Sequence, residues 1–235
     1  MLIAGFPAGS WATNCFVVAA GPGEPCLVVD PGQESIDGVL EIVRENRLAP
    51  AAVLLTHGHI DHIWSVAPVS SRFGIPAVIQ RDDRYRLVDP AGTSIMAARE
   101  TLLAMTKDAL ELTEPEQIVE LEGHETLDLA GLQVEVHHAP GHTEGSTAFV
   151  INGVMLSGDL LFAGSIGRTD LPGGDHAAML ESLRRVILPA PDDMPVLPGH
   201  GEATTIGQER ATNPFLRGLH DDAGPADGLR NTRGL

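Results

Sequence analysis

Cysteine, basic residues and long apolar runs are all scarce in this chain of 235 residues. Its two cysteines, Cys15 and Cys26, are eleven positions apart, so the chain has neither a disulfide framework nor a CxxC zinc or redox motif. No run reaches the roughly eighteen apolar residues of a membrane-spanning helix, which argues against an integral membrane protein. No basic leader precedes Gly5 and Pro7, so we expect no secretory signal and a cytoplasmic protein in a reducing compartment.

Positive charge is also in short supply. The chain has 32 acidic residues against 15 basic ones, which gives a formal net charge of -17. The basic residues are spread along the sequence and form no cluster. Such a chain repels phosphate backbones at long range, so we expect no nucleic-acid partner.

Short β-rich runs alternate irregularly with helical patterns, which is typical of an α/β protein. The predicted strands lie at residues 2–6, 13–19, 26–29, 52–55, 77–79, 132–137, 147–151 and 194–197. The predicted helices cover 35–47, with Ser35 as the N-cap, and 61–73, 94–112 and 175–188. We expect one compact domain over residues 1–217 and a weakly packed tail over 218–235, which is rich in Gly, Asp and Arg.

Four potential metal ligands follow the apolar run at 52–55 within six positions: His57, His59, Asp61 and His62. Imidazole and carboxylate groups bind zinc and other borderline transition metals. Gly58 is expected to let the backbone turn so that His57 and His59 point at one ion, while Asp61 and His62 reach a second. A lone histidine is usually structural, but this density indicates a metal centre.

Three further candidates each follow a β-rich run and a glycine: His142, Asp159 and His200. In a layered α/β fold, strand ends meet at one edge, where side chains from distant parts of the sequence converge. The other histidines lack this context, and we assign them to structure or surface. Among them, His138 precedes His142 by four residues. It is the one candidate for a residue that binds no metal itself but orients a ligand by a hydrogen bond.

In this order and spacing, the seven candidates resemble the ligand pattern of the metallo-β-lactamase superfamily over nearly the whole chain. Two supporting stretches are Val28-Val29-Asp30-Pro31-Gly32 and Pro140-Gly141-His142-Thr143. The resemblance implies an αββα four-layer sandwich with two divalent ions at one edge of its sheets. The implied ions are Zn²⁺, with iron or manganese as alternatives.

The resemblance also implies a role for each ligand. His57, His59 and His142 would hold one ion, Asp61, His62 and His200 would hold the other, and Asp159 would bridge the two. Asp61 and Asp159 would have catalytic roles, with Asp61 accepting a proton as the attacking hydroxide is regenerated.

Within the superfamily, the stretch 158–175 and the Gly199-His200-Gly201 segment resemble short bacterial glyoxalase II-like hydrolases. The superfamily's secreted β-lactamases lack a bridging aspartate at this stage, and its RNA nucleases carry RNA-binding segments that are missing here, so neither activity is expected. The resemblance implies hydrolysis of S-D-lactoylglutathione or a related small-molecule thioester by a metal-bridging hydroxide. About 35 residues follow His200, too few for the thiol-binding helical domain of longer relatives, so we expect weak selectivity for the thiol.

Two alternatives stay open. A persulfide dioxygenase binds one iron through a facial triad, here His57, His142 and Asp159, which the dinuclear ligand set contains. A metal-binding module without catalysis is the more distant alternative. The sequence does not predict the oligomeric state.

Arg168 is a tentative substrate-binding residue in the loop after Asp159. We favour an ion pair with Asp170 or Asp175 that shapes the loop over direct contact with a substrate carboxylate.

Overall fold

A computed structural model describes residues 1–89 and 113–221 of the chain. The helix predicted at 94–112 therefore lies outside the described residues, as does the tail from 222 onward. No helix in the described part of the chain is both long enough and apolar enough to cross a bilayer.

The first sheet has six strands in sequence order: β1 (Leu2–Ala8), β2 (Thr13–Ala19), β3 (Pro25–Val29), β4 (Ala49–Leu54), β5 (Ala77–Gln80) and β6 (Ile118–Leu121). The first three strands pair antiparallel, and β3 to β6 pair parallel. Helix α1 (Ile36–Asn46) connects β3 to β4, and helices α2 (Ile60–Ile63) and α3 (Val66–Phe73) connect β4 to β5. A 3₁₀ helix (Arg81–Leu87) follows β5.

The second sheet also has six strands, in the spatial order β14-β13-β10-β9-β8-β7. They are β7 (Thr126–Leu129), β8 (Leu132–His138), β9 (Thr147–Ile151), β10 (Val154–Gly158), β13 (Pro195–Pro198) and β14 (Thr204–Thr205). A small hairpin of β11 (Leu161–Phe162) and β12 (Ser165–Ile166) follows β10. Helix α4 (His176–Ser182) continues into a π-helical turn (Leu183–Ile187), and α5 (Ile206–Thr212) and α6 (Pro214–Asp221) close the described chain.

Three buried apolar layers separate four layers of secondary structure. Between the sheets, Leu54 of β4 belongs to the same cluster as Phe149 of β9. Val69 of α3 packs in the cluster on the outer face of the first sheet. Met179 of α4 packs in the cluster on the outer face of the second. This order of helices, sheet, sheet and helices confirms the predicted αββα sandwich.

The prediction of one helix over 61–73 is wrong, because the first helix ends at Ile63 and a second begins at Val66. The Ser65 amide donates to Pro31 O at 2.9 Å, and its hydroxyl donates to Gly32 O at 2.7 Å. Pro68 fits the first turn of a helix that begins at Val66, but it would remove a hydrogen bond from the interior of a longer one. The break leaves α2 as one turn beside the strand ends.

Other boundaries also differ. Ser35 occupies the predicted N-cap position of α1, but its side chain makes no capping hydrogen bond. The strands β6, β7, β10, β11, β12 and β14 have no counterpart in the sequence prediction. Helix α6 runs through the predicted domain boundary at 217, because Leu219 is buried in the core on the second sheet.

Candidate metal centre

The structure brings all seven predicted ligands together at one edge of the sandwich. They are His57 and His59 in the turn after β4, Asp61 and His62 in α2, His142 after β8, Asp159 after β10 and His200 after β13. Each strand ends at this edge, so its following loop delivers a side chain to the same place. Their ligand atoms form overlapping groups of three that lie within 4.8 Å of one another.

The first donor set consists of His57, His59 and His142. His57 Nε2 lies 3.1 Å from His59 Nδ1, which lies 2.8 Å from His142 Nε2. The three nitrogens converge from two loops on different sheets. Three imidazoles at this spacing are a ligand group typical of zinc and similar divalent ions.

The second donor set consists of Asp61, His62 and His200. Asp61 Oδ2 lies 3.0 Å from His200 Nε2 and 3.5 Å from His62 Nε2. The two imidazole nitrogens are 3.3 Å apart. This set therefore offers one carboxylate oxygen and two nitrogens to a cation.

Asp159 lies between the two sets. Its Oδ2 is 3.3 Å from His142 Nε2 of the first set and 3.8 Å from His200 Nε2 of the second, and its Oδ1 is 3.4 Å from His62 Nε2, so the carboxylate lies close to both sets. Oδ1 is buried and has no hydrogen-bond partner among the residues that the structure describes, which is costly for a carboxylate unless a cation takes that place. A Cβ at Gly199 would collide with Oδ1, so the glycine keeps this space open. The donor types and this buried oxygen fit a pair of divalent ions.

Hydrogen bonds behind the ligands determine which imidazole nitrogen is free. His62 Nδ1 donates to Asp30 Oδ2 at 2.9 Å, because a carboxylate only accepts, and this leaves Nε2 for a metal. The Thr56 hydroxyl also donates to Asp30, at 2.6 Å, so its oxygen accepts from His57 Nδ1 at 3.2 Å. His142 Nδ1 donates to the Arg168 carbonyl at 2.7 Å. All three rings thus present Nε2 to the site.

Burial and charge also prepare the site for cations. Burial lowers the pKa of His57 well below its usual value and lowers that of His59 to about 3, so both rings are neutral at pH 7. Burial opposes the charged form of His62, but Asp61 and Asp159 outweigh it and raise its pKa. Burial likewise opposes ionisation of both aspartates, yet His62 holds their pKa values below the usual range. The carboxylates are therefore ionised and attract cations.

The structure contradicts one predicted contact and shows another. His138 Nε2 donates to the backbone carbonyl of Glu144 at 2.8 Å, so its interpretation as a ligand-orienting residue is wrong. The Arg168 guanidinium binds Asp170 through two hydrogen bonds of 2.7 and 2.8 Å, and both side chains are exposed. This ion pair is one of the two that the sequence predicts for Arg168. What Arg168 contributes to the site in this structure is its backbone carbonyl.

Sequence reasoning missed the residues behind the ligands. In the sequence, Asp30 stands out only as part of the Val28-Val29-Asp30-Pro31-Gly32 segment, and no pattern distinguishes Thr56. Thr13, whose hydroxyl donates to Asp61 Oδ2 at 3.1 Å, was also missed. A signal for Asp30 existed, since it is an acidic residue directly after the apolar strand β3.

The family model of the metallo-beta-lactamase superfamily matches residues 8–200. The chain belongs to this superfamily. A Mycobacterium tuberculosis protein named only as uncharacterized is 46% identical over 93% of this chain and 99% of the relative. The hydroxyacylglutathione hydrolase GloC of Haemophilus influenzae is 34% identical over 89% of this chain and 95% of its own length. The family and this relative support a metal-dependent hydrolase.

Solved structures of the superfamily share the fold. BLEG-1, named a B3 metallo-beta-lactamase, has a TM-score of 0.79 at 35% identity and covers 92% of this chain and 99% of its own. TTHA1623 in a di-iron-bound form has a TM-score of 0.73 at 36% identity, with 89% and 98% covered. ETHE1 from Myxococcus xanthus also has a TM-score of 0.73, but at 23% identity over 96% and 92% it shares the fold alone.

Proposed function

We propose that this superfamily member is a dinuclear metal-dependent thioester hydrolase of the glyoxalase II type, acting on S-D-lactoylglutathione or a related acyl-thiol. The observation that carries the proposal is Asp159, whose carboxylate lies 3.3 Å from His142 of the first donor set and 3.4 Å from His62 of the second. A carboxylate in that position would be available to an ion at either donor set. The likeness to GloC, a hydroxyacylglutathione hydrolase by name, supports the substrate class.

The two donor sets would hold divalent ions, which would supply positive charge for a developing oxyanion and would lower the pKa of water towards neutrality. Thioester hydrolysis consumes one water, breaks the carbon–sulfur bond and yields a carboxylic acid and a thiol, with no change in oxidation state. Because a thiol has a pKa of about 8.5, the leaving group needs no strong general acid. We propose Zn²⁺ as the resident ion.

This chain's own residues hold the centre in shape. Asp30 and Thr56 keep Nε2 of His62 and His57 available, and Thr13 donates to Asp61 Oδ2. His62 and His200 hold the pKa of Asp61 below its usual value against the effect of burial, which makes this carboxylate a weak base. We therefore propose Asp61 mainly as a ligand, and proton acceptance as its minor role.

Persulfide dioxygenation is the second candidate. It is favoured by the closeness of His142 Nε2 and Asp159 Oδ2, at 3.3 Å, within a triad completed by His57. The complete second donor set argues against it, because a single iron would leave Asp61, His62 and His200 without a metal ion to bind. The two candidates differ in metal content and in their requirement for oxygen.

One experiment separates these activities. Protein purified without added metal is analysed for metal content, and thiol release from S-D-lactoylglutathione is measured alongside oxygen uptake with glutathione persulfide. We expect two ions per chain, thiol release and no oxygen uptake. One iron per chain with oxygen uptake would replace the proposal by the dioxygenase. A cephalosporin is included because of the likeness to BLEG-1, and its faster hydrolysis would also refute the thioester assignment.

A further inference from the structure

A buried carboxylate outside the seven candidate ligands receives hydrogen bonds from both loops that carry the first donor set. Asp83, in the 3₁₀ helix after β5, is fully buried and lies at the centre of four donors. The donors are Gly58 N at 2.7 Å, Thr143 Oγ1 at 2.7 Å, Gly145 N at 2.9 Å and Arg86 Nε at 3.2 Å. Each carboxylate oxygen accepts two of them, so the group is well satisfied.

These donors belong to the backbone that presents the ligands. Gly58 lies between His57 and His59, and Thr143 directly follows His142. The two loops leave strands of different sheets, which the hydrogen bond from Thr147 N to Thr56 O, at 2.8 Å, joins just before His57. Asp83 binds both loops beyond that point and, together with this hydrogen bond, determines how far apart the three imidazoles stand.

Arg86 completes this arrangement. It is 1% exposed, and its charge offsets that of Asp83, which a buried carboxylate needs. Its Nη2 donates to Glu144 Oε2 at 2.6 Å and to Pro172 O at 3.0 Å. Its side chain packs beneath Gly58, where a Cβ would lie 2.5 Å from Arg86 Cβ. Gly58 has no positive φ, so close approach and not the expected turn explains the glycine.

The second donor set depends on other supports. His62 is oriented by Asp30, Asp61 receives a hydrogen bond from Thr13, and Gly199, next to His200, accepts from the Asn14 amide at 2.7 Å. None of the four hydrogen bonds to Asp83 reaches these residues. Asp83 therefore contacts the loops of the first donor set, whereas the Asp30–Thr56 pair contacts one ligand of each set, His62 and His57.

We propose that Asp83, held by Arg86, is a positioning residue that sets the spacing of His57, His59 and His142 and so controls metal affinity at the first donor set alone. The proposal rests on the two-ion centre of the proposed function, but not on its substrate. Asp83→Asn places an amide NH2 group against backbone and guanidinium N–H groups. At least one of the two loops that carry the first donor set therefore loses its acceptor at residue 83.

The test is a Zn²⁺ titration of the metal-free protein against a competing chelator, which resolves two affinities. The variants His59→Ala and Asp61→Asn, each lacking one ligand, assign the two affinities to their donor sets. We expect Asp83→Asn to weaken the first-set affinity by about tenfold or more, and to change the second by less than about threefold. Unchanged first-set affinity, or equal weakening at both sets, would overturn the proposal.

Glu209→Gln is the matched control. Glu209 is also fully buried and accepts hydrogen bonds from Thr204 Oγ1, Gly164 N and Asn213 Nδ2, but it touches none of the first donor set. We expect this variant to lower the Tm and to keep the first-set affinity within about threefold of the wild type. A first-set loss as large as that of Asp83→Asn would mean that any buried carboxylate has this effect, and would overturn the proposal.

Thr143→Val decides the matter if Asp83→Asn does not fold. It removes one donor to Asp83 and keeps the charge pair with Arg86, so we expect a smaller weakening confined to the first set. No change at the first set, or an equal change at both, would refute the proposal. Because no substrate is used, a chain that binds two ions but hydrolyses no thioester refutes only the proposed function. A wild type that binds no ion at the first set refutes both.

Discussion

Replacing Asp159 by Ala should separate the contribution of this residue to metal binding from its contribution to the stability of the fold. Without metal, Asp159 Oδ1 has no hydrogen-bond partner in residues 1–89 and 113–221, and the attraction of His62, 3.4 Å away, is opposed by the cost of burial, so the fold gains little from this oxygen. With metal, the same residue is proposed to serve both ions. We therefore expect the variant to resemble the wild type when metal-free and to differ sharply once metal is added.

The magnitude follows from binding linkage. An ion present at 100 times its Kd stabilises the folded state by about 2.7 kcal/mol, so two ions contribute about 5 kcal/mol. For a chain of this size, that corresponds to a rise in Tm of roughly 10–20 °C. If loss of the shared ligand weakens each ion by about a hundredfold, the same concentration equals Kd and contributes only about 0.4 kcal/mol per ion. The metal-induced rise should then fall to about 2–3 °C.

The assay is scanning calorimetry of the metal-free protein with and without Zn²⁺, paired with thiol release from S-D-lactoylglutathione. Turnover should fall by at least about a hundredfold, the scale on which electrostatic stabilisation of an oxyanion acts. Asp175→Asn is the control, because it keeps an N-cap for α4 and touches none of the seven ligands. A full metal-induced rise in Tm, or near-normal turnover, in Asp159→Ala would refute the bridging role.

Three further outcomes are expected. Dialysis against a chelator should abolish turnover and lower the Tm by about 10–20 °C, and Zn²⁺ should restore both; activity that survives in metal-free protein would contradict a metal centre. Asp30→Ala leaves the Thr56 amide and hydroxyl and His62 Nδ1 without their acceptor, so denaturant unfolding should show a loss of about 3 kcal/mol, and a loss below about 1 kcal/mol would contradict these contacts. Arg168→Lys alters an exposed ion pair, so the Tm should not change measurably and kcat/KM should change alike for all thioesters; a rise in KM confined to carboxylate-bearing thiols would instead indicate substrate contact.

The sequence by itself determined the residue types of the metal centre and the class of the fold. His57, His59, Asp61 and His62 are adjacent, and their density after an apolar strand is a local property that needs no tertiary information. The same holds for strands such as β2 and β9, whose predicted bounds match the structure. Where periodicity was overridden, the cause was a contact with a distant segment, as at Ser65, whose bonds to the Pro31–Gly32 turn end α2.

Only the tertiary structure decided how the ligands are held and shared between the two donor sets. Asp83 is 25 residues from Gly58 and 60 from Thr143, and nothing in the sequence near it distinguishes it from Asp82. Asp159 is recognisable as a candidate ligand, but its position close to both donor sets depends on β10 lying between β9 and β13. Hydrogen-bond partners are chosen by distance and direction in space, and a one-dimensional pattern carries neither once the partners lie on different sheets.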